Sequence, residues 1–204
     1  MVFAACCLRD DCEVQVSKMN ARVQKAVAYL KPAIPSSDPA PVLSLSADDS
    51  PVLREFAPGL LTAYLVDEGD RFSYVQGRDL REAGVREDEL HHQAVANLAA
   101  LAEGKVTVRS IGPVWALVLD GNFEASLTLV DDLWSHGLRE YARDPVVAIP
   151  SRDVLAFCDA ESAAGVAELQ AVVKRVWPSG DHLLSENVYR RVDGRWRVHG
   201  YGSQ

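Results

Sequence analysis

Two polar knots in the second half of the chain hold the residues best suited to chemistry. The first, Asp120-Gly121-Asn122-Phe123-Glu124-Ala125-Ser126, follows the apolar run Trp115-Ala116-Leu117-Val118-Leu119. Asp120 and Glu124 form a carboxylate pair of the kind that holds a cation or divides acid and base work. The same residues also suit a purely structural role. Gly121 permits positive φ, Asp120 or Asn122 can cap a helix through a side-chain oxygen, and Glu124 in a first turn is favoured by the helix dipole. Such a cap contributes about 1 kcal/mol, and it accounts for these residues without any ligand. The second knot, Pro150-Ser151-Arg152-Asp153, separates Val146-Val147-Ala148-Ile149 from Val154-Leu155-Ala156-Phe157. An arginine there either clamps a carboxylate or phosphate in a bidentate fork or staples the turn by pairing with Asp153, Glu124 or Asp120. If the knots meet at one sheet edge, Asp120, Glu124, Arg152 and Asp153 together make a site for a small polar ligand.

Other polar residues carry weaker signals. Asn97 falls in the apolar stripe of a predicted helix, seven residues after Leu90. A core-facing amide left unpaired costs roughly 1–3 kcal/mol, so Asn97 is expected to tie its helix to a neighbouring strand or loop. His91 and His92 follow Glu87 and Asp88 at four-residue spacing, but adjacent helical residues point about 100° apart, so both pairs cannot serve one ion. A solvated, salt-bridged face is the expectation, and His136, His182 and His199 are isolated in sequence. There is no G-x-S-x-G, P-loop or G-x-G-x-x-G, and Ser126 has no histidine near it in sequence. Neither a metal nor a cofactor is expected.

Composition sets the outer bounds. The 204 residues suit one domain with a loosely attached arm, and the 48% hydrophobic share is that of a globular chain. A net charge of −8 and a pI near 5.1 argue against a phosphate-neutralising surface, so no nucleic acid is expected. No run approaches the ~20 apolar residues that span a bilayer. Of the four cysteines, Cys6, Cys7 and Cys12 crowd the N-terminus without a zinc spacing, and Cys158 reads as a small core residue. Phe3-Ala4-Ala5-Cys6 loosely mimics a lipoprotein cleavage box but lacks a basic and apolar lead-in. A reduced, cytoplasmic protein is the expectation.

Periodicity then places the elements that carry the knots. Val16, Met19, Val23, Val27 and Leu30 predict a helix over about 13–30 that stops at Lys31-Pro32. Six prolines punctuate residues 32–58, a wrapping loop with at most a short strand near Val42–Leu45. Residues 1–57 therefore read as arm, helix and linker, and 58–204 as the main domain. Within it, Leu60–Val66 with Phe72–Val75, Val106–Arg109 with Trp115–Leu119, and Val146–Ile149 with Val154–Phe157 form hairpins. Predicted helices follow at about 86–102, 122–136 and 162–177, and Asp193-Gly194 closes a last hairpin between Val188–Val192 and Arg195–His199. The helical stripes are Leu90, Ala94, Leu98, Leu101; Phe123, Leu127, Val130, Trp134; and Val166, Leu169, Val173, Val176. The fold class is α+β, a mainly antiparallel sheet built from hairpin-helix units with helices packed on a face.

From about Gly59 to Trp196 the chain resembles the YtpQ-like family of bacterial proteins of unknown function. The matching pieces are Leu65-Val66-Asp67 with Tyr74-Val75, Glu89-Leu90 leading to Ala94-Val95-Ala96-Asn97-Leu98, and above all the two knots with Val154-Leu155-Ala156-Phe157. The resemblance implies a cytoplasmic bacterial α+β protein and supplies no reaction. The expected function is non-enzymatic protein binding of a regulatory, adaptor or immunity type, with a protein partner or a second copy as the mate. The acidic charge would steer a basic partner. The alternative is a small-ligand binder or enzyme that uses the carboxylate and arginine residues at a sheet edge.

Overall fold

The computed structural model describes residues 21–33 and 45–200. Cys6, Cys7 and Cys12, the beginning of the first predicted helix and most of the short strand expected near Val42–Leu45 lie outside the described residues. The fold is α+β, and its strands divide into two sheets rather than one. Four strands order as β1 (Val27–Pro32), β3 (Leu60–Asp67) and β2 (Leu53–Ala57), with β4 (Phe72–Tyr74) also on β3. Six others order as β10 (Arg195–Val198), β9 (Val188–Val192), β7 (Pro145–Ala148), β8 (Leu155–Asp159), β6 (Val114–Val118) and β5 (Thr107–Ile111). Every neighbouring pair in the second sheet is antiparallel. No helix among the described residues is long and apolar enough to cross a membrane.

The chain forms two compact units, with boundaries inside β1, β3 and the helix α2 (Glu87–Ala102). The first contains residues up to Ala28, 39–53 and 63–97. Residues 21–25 are helical here, but the helix predicted through Leu30 gives way to β1 at Val27. Ala26, Ala28 and Leu30 are all fully buried and Tyr29 nearly so. Consecutive burial of Ala28, Tyr29 and Leu30 suits a sheet more than one face of a helix. A further helix, α1 (Gly77–Ala83), was not predicted. It is short, and its start rests on a capping box between Gln76 and Asp79 rather than on an apolar stripe. Asn97 behaves as expected, donating from Nδ2 to the carbonyls of Gln24 (2.7 Å) and Ala26 (2.8 Å). His91 does not sit on a merely solvated face, because its Nδ1 is 3.1 Å from the Tyr64 hydroxyl.

The β3–β4 turn gives the first unit an acid-sensitive feature. Glu68 accepts from the Ser73 hydroxyl (2.7 Å) and pairs with Arg71 and Arg22. These contacts, the Ser73 bond foremost, hold its carboxyl at about 2 rather than 4.5. A carboxyl lowered on folding stabilises the native state above its unfolded value and loses that contribution as pH falls through the folded one. The wild type is therefore expected to lose stability between about pH 4.5 and about pH 2. Urea midpoints measured across that window should fall less steeply for Glu68→Gln, and identical slopes would remove Glu68 as the source.

The second unit contains residues 29–38, 54–62 and 98–204. Helix α3 (Ala163–Val176) packs on β6, β7 and β8, burying Leu169 and Val173 against Val114, Val146, Ala148, Ala156 and Cys158. Ser162 caps it by accepting from the Gly165 N–H (3.1 Å). A Cβ at Gly165 would lie 2.7 Å from the Cys158 Cβ, so glycine lets helix and sheet close together. Burial pushes the Cys158 thiol up to about 11, as befits an inert core cysteine. On other strand positions Trp134 stacks edge-to-face on Phe157 and Trp196, at centroid distances of 5.5 and 5.1 Å.

The helix predicted over about 122–136 is not one helix. It is a 3-10 turn (Ala125–Leu129), an extended residue Val130, and a π turn (Leu133–Gly137). Phe123, Leu127 and Trp134 are nonetheless buried, as the stripe required. Two indoles explain the break. Trp134 Nε1 donates to the Leu127 carbonyl (2.9 Å) and Trp196 Nε1 to the Thr128 carbonyl (3.0 Å), acceptors that a continuous helix would use for its own N–H groups. Thr128 also bonds back to the Ala125 carbonyl (2.7 Å).

Candidate functional site

The first knot is a self-contained turn at the end of β6. Asp120 Oδ1 accepts from the N–H groups of Asn122 (2.9 Å) and Phe123 (3.2 Å), while the Asn122 side chain stays local. Glu124 Oε1 accepts from the N–H groups of Leu119 (2.9 Å) and Gly121 (2.8 Å). Gly121 has φ of +81°, which a side chain would strain. Glu124 is only 3% exposed, and its Oε2 is the one buried side-chain atom without a hydrogen bond among the described residues. Both carboxylates are thus turned onto backbone. Ser126 is likewise engaged, accepting from the Leu30 N–H (3.1 Å).

The second knot is held from three sides. Ala125 N–H donates to the Arg152 carbonyl (3.0 Å), Arg152 N–H to the His182 carbonyl (3.2 Å), and Leu184 N–H to the Pro150 carbonyl (2.8 Å). Ser151, 2% exposed, donates to Asp153 Oδ1 (2.7 Å), which occupies that hydroxyl and one carboxylate oxygen. The loop after α3 completes the frame through Gly180, where a Cβ would meet the Leu183 side chain at 2.7 Å and the Val176 carbonyl at 2.8 Å. His182 stands there with φ of +49° and hydrogen-bonds Asp181 through its backbone.

The knots therefore do meet, and between them and the loop lies an open groove of about 400 Å³. Gly121, Arg152, Asp153, Arg175, Asp181 and His182 line it. Arg175 is paired with Glu168 (2.7 Å) and His182 with Asp181 (3.2 Å). Arg152 is half-buried and makes no ion pair with Asp120, Glu124 or Asp153; its guanidinium has no hydrogen-bonding partner among the described residues. Of the four expected ligand-contacting residues, Arg152 and Asp153 line the groove, whereas Asp120 and Glu124 brace the turn beneath it. Arg175, Asp181 and His182 were not expected. Their one signal in the sequence was the helix-stopping Pro178-Ser179-Gly180 that returns the chain toward the sheet.

Chemically, a guanidinium on a pinned backbone is suited to receive a carboxylate or phosphate in its fork. The Ser151 hydroxyl donates to the Asp153 carboxylate, and no histidine hydrogen-bonds it among the described residues. No group of three or more histidine, cysteine or acidic side chains is placed to hold a metal ion among the described residues. Comparison with known proteins returns no matching family model, no matching curated protein and no matching solved structure.

Proposed function

We propose that the chain is a non-enzymatic binding domain of the YtpQ-like type that engages another protein and takes a partner carboxylate on Arg152. One observation carries this reading: the pinned Arg152 turn presents to an open groove a guanidinium unpaired among the described residues, while Asp120 and Glu124 are turned onto backbone N–H groups. The net charge of −8 favours a basic partner surface at long range, and Arg152 sets the register at contact. A cytoplasmic setting belongs to the same reading. A second reading, a small anionic ligand, is favoured by the size of the groove, which falls within the roughly 300–1,000 Å³ of ligand pockets.

The test compares wild type with Arg152→Ala. The partner is captured from lysate, identified, purified and titrated by calorimetry. Arg152→Ala is expected to fold normally, because its side chain makes no hydrogen bond or ion pair among the described residues, and to bind roughly tenfold or more weakly. Equal affinity of the two proteins overturns the reading. Absence of any protein partner, with a small carboxylate stabilising wild type but not Arg152→Ala, supports the second reading in its place.

A further inference from the structure

A different corner of the second unit gathers three arginines. The π turn, the segment after it and the β9–β10 hairpin border an open polar cavity of about 220 Å³. Arg139 and Arg143, four residues apart, line it from one side, and Arg191 of β9 lines it from the other. The Leu138 carbonyl accepts from the N–H groups of both Tyr141 (3.0 Å) and Ala142 (3.0 Å), which winds the segment that carries the first two. The Arg191 side chain is 13% exposed and held in place by Asp131 and by Ser135 Oγ (3.1 Å). Its position is set before any ligand arrives.

The balance of charge in this cavity runs against that of the whole chain. Asp144 lines it but is engaged by Arg190, whose Nε lies 3.0 Å from Oδ1. Asp131 is committed to Arg191. Asp159 accepts the Arg143 and Asp144 backbone N–H groups and does not line the cavity. The guanidinium groups of Arg139 and Arg143 make no hydrogen bond or salt bridge among the described residues. With Arg191 paired to Asp131, two uncommitted guanidinium groups, those of Arg139 and Arg143, face one uncommitted carboxylate, Asp193 at the hairpin turn, in a protein of net charge −8. Guanidinium groups gathered at one place repel one another, and the guanidinium fork matches tetrahedral oxyanions in charge and geometry.

We propose that this cavity binds a phosphate group, with Arg191 as the fixed donor and Arg139 and Arg143 closing on the remaining oxygens. The volume suits one phosphoryl group with attendant water. The group arrives either as inorganic phosphate or as a monoester on a small molecule, since both present the same oxygens.

The experiment is a thermal-shift and calorimetric titration of the full chain with inorganic phosphate and with phenyl phosphate, against chloride at matched ionic strength. Both phosphates are expected to raise the melting temperature beyond chloride. Arg139→Ala and Arg143→Ala, both exposed residues, should each weaken binding roughly tenfold or more while leaving the unliganded melting temperature in place. Arg109→Ala, an exposed arginine on β5, should bind as wild type does. Tighter binding of the ion identifies free phosphate as the source, and equal or tighter binding of the ester identifies a carried phosphoryl group; either order supports the site. No stabilisation beyond chloride overturns it. So does loss of binding in Arg152→Ala with retention in Arg139→Ala and Arg143→Ala, because phosphate would then occupy the other groove.

Discussion

Replacing Trp134 with alanine should lower the stability of the second unit by about 3–5 kcal/mol, the range for removing a buried aromatic side chain. Trp134 is 2% exposed and touches two other rings, so its loss opens a cavity between Phe157 and Trp196. It also frees the Leu127 carbonyl, which the indole N–H now satisfies. Because domains are stable by only about 5–15 kcal/mol, this one change removes a large share of the total. Trp134→Phe should cost less, since a ring is kept and chiefly the hydrogen bond is lost, about 1 kcal/mol plus repacking. Urea unfolding followed by far-ultraviolet circular dichroism measures both. A Trp134→Ala midpoint close to that of wild type would mean that the 3-10 and π turns do not depend on the indole.

Glu124→Ala carries the second large effect and separates a structural carboxylate from a chemical one. Oε1 accepts two backbone N–H groups, and bonds to a charged acceptor contribute about 1.5–3 kcal/mol each. Against that stands the cost of burying the carboxylate with Oε2 unpartnered, which alanine relieves. The net loss is expected near 2 kcal/mol. Glu124→Gln keeps an acceptor for the same two N–H groups and should recover most of it. All four tryptophans belong to the second unit, so tryptophan fluorescence during urea unfolding reads it directly. If Glu124 instead worked on a ligand, Glu124→Gln would spare stability and abolish binding. Retention of partner binding by Glu124→Gln is the expected result, and loss of it in a stable protein would count against the bracing role.

These expectations rest on features of unequal legibility. The hairpin at Asp193-Gly194 was readable because positive φ at both positions is a local demand, met here at +50° and +73°. The stripes of α2 and α3 were readable for the same reason: they depend on residues within a turn or two. The stripe Phe123, Leu127, Val130, Trp134 marked three buried positions and a half-buried one, Val130, but misjudged the backbone. Trp196, sixty-eight residues after Thr128, takes a carbonyl that local periodicity assigned to a helix. Val27 to Leu30 failed likewise, since Ala28, Tyr29 and Leu30 are buried in succession and leave no period to distinguish strand from helix.

The candidate sites divide along the same line. The residue types at Asp120, Glu124, Arg152 and Asp153 limited the chemistry available, and the turn-forming Gly121 and Pro150 placed them at strand ends. Only the folded arrangement shows Glu124 turned onto backbone N–H groups and Arg152 left open in a groove with Arg175 and His182. Likewise, nothing between Arg143 and Arg191 hints that they line one cavity, which follows from β9 pairing with β7 across about forty intervening residues. Turns, caps and amphipathic stripes are settled by neighbours a few residues away, so the amino-acid order is enough for them. Strand order, the division into two sheets and the meeting of distant arginines depend on contacts across tens of residues, and those exist only once the chain has packed.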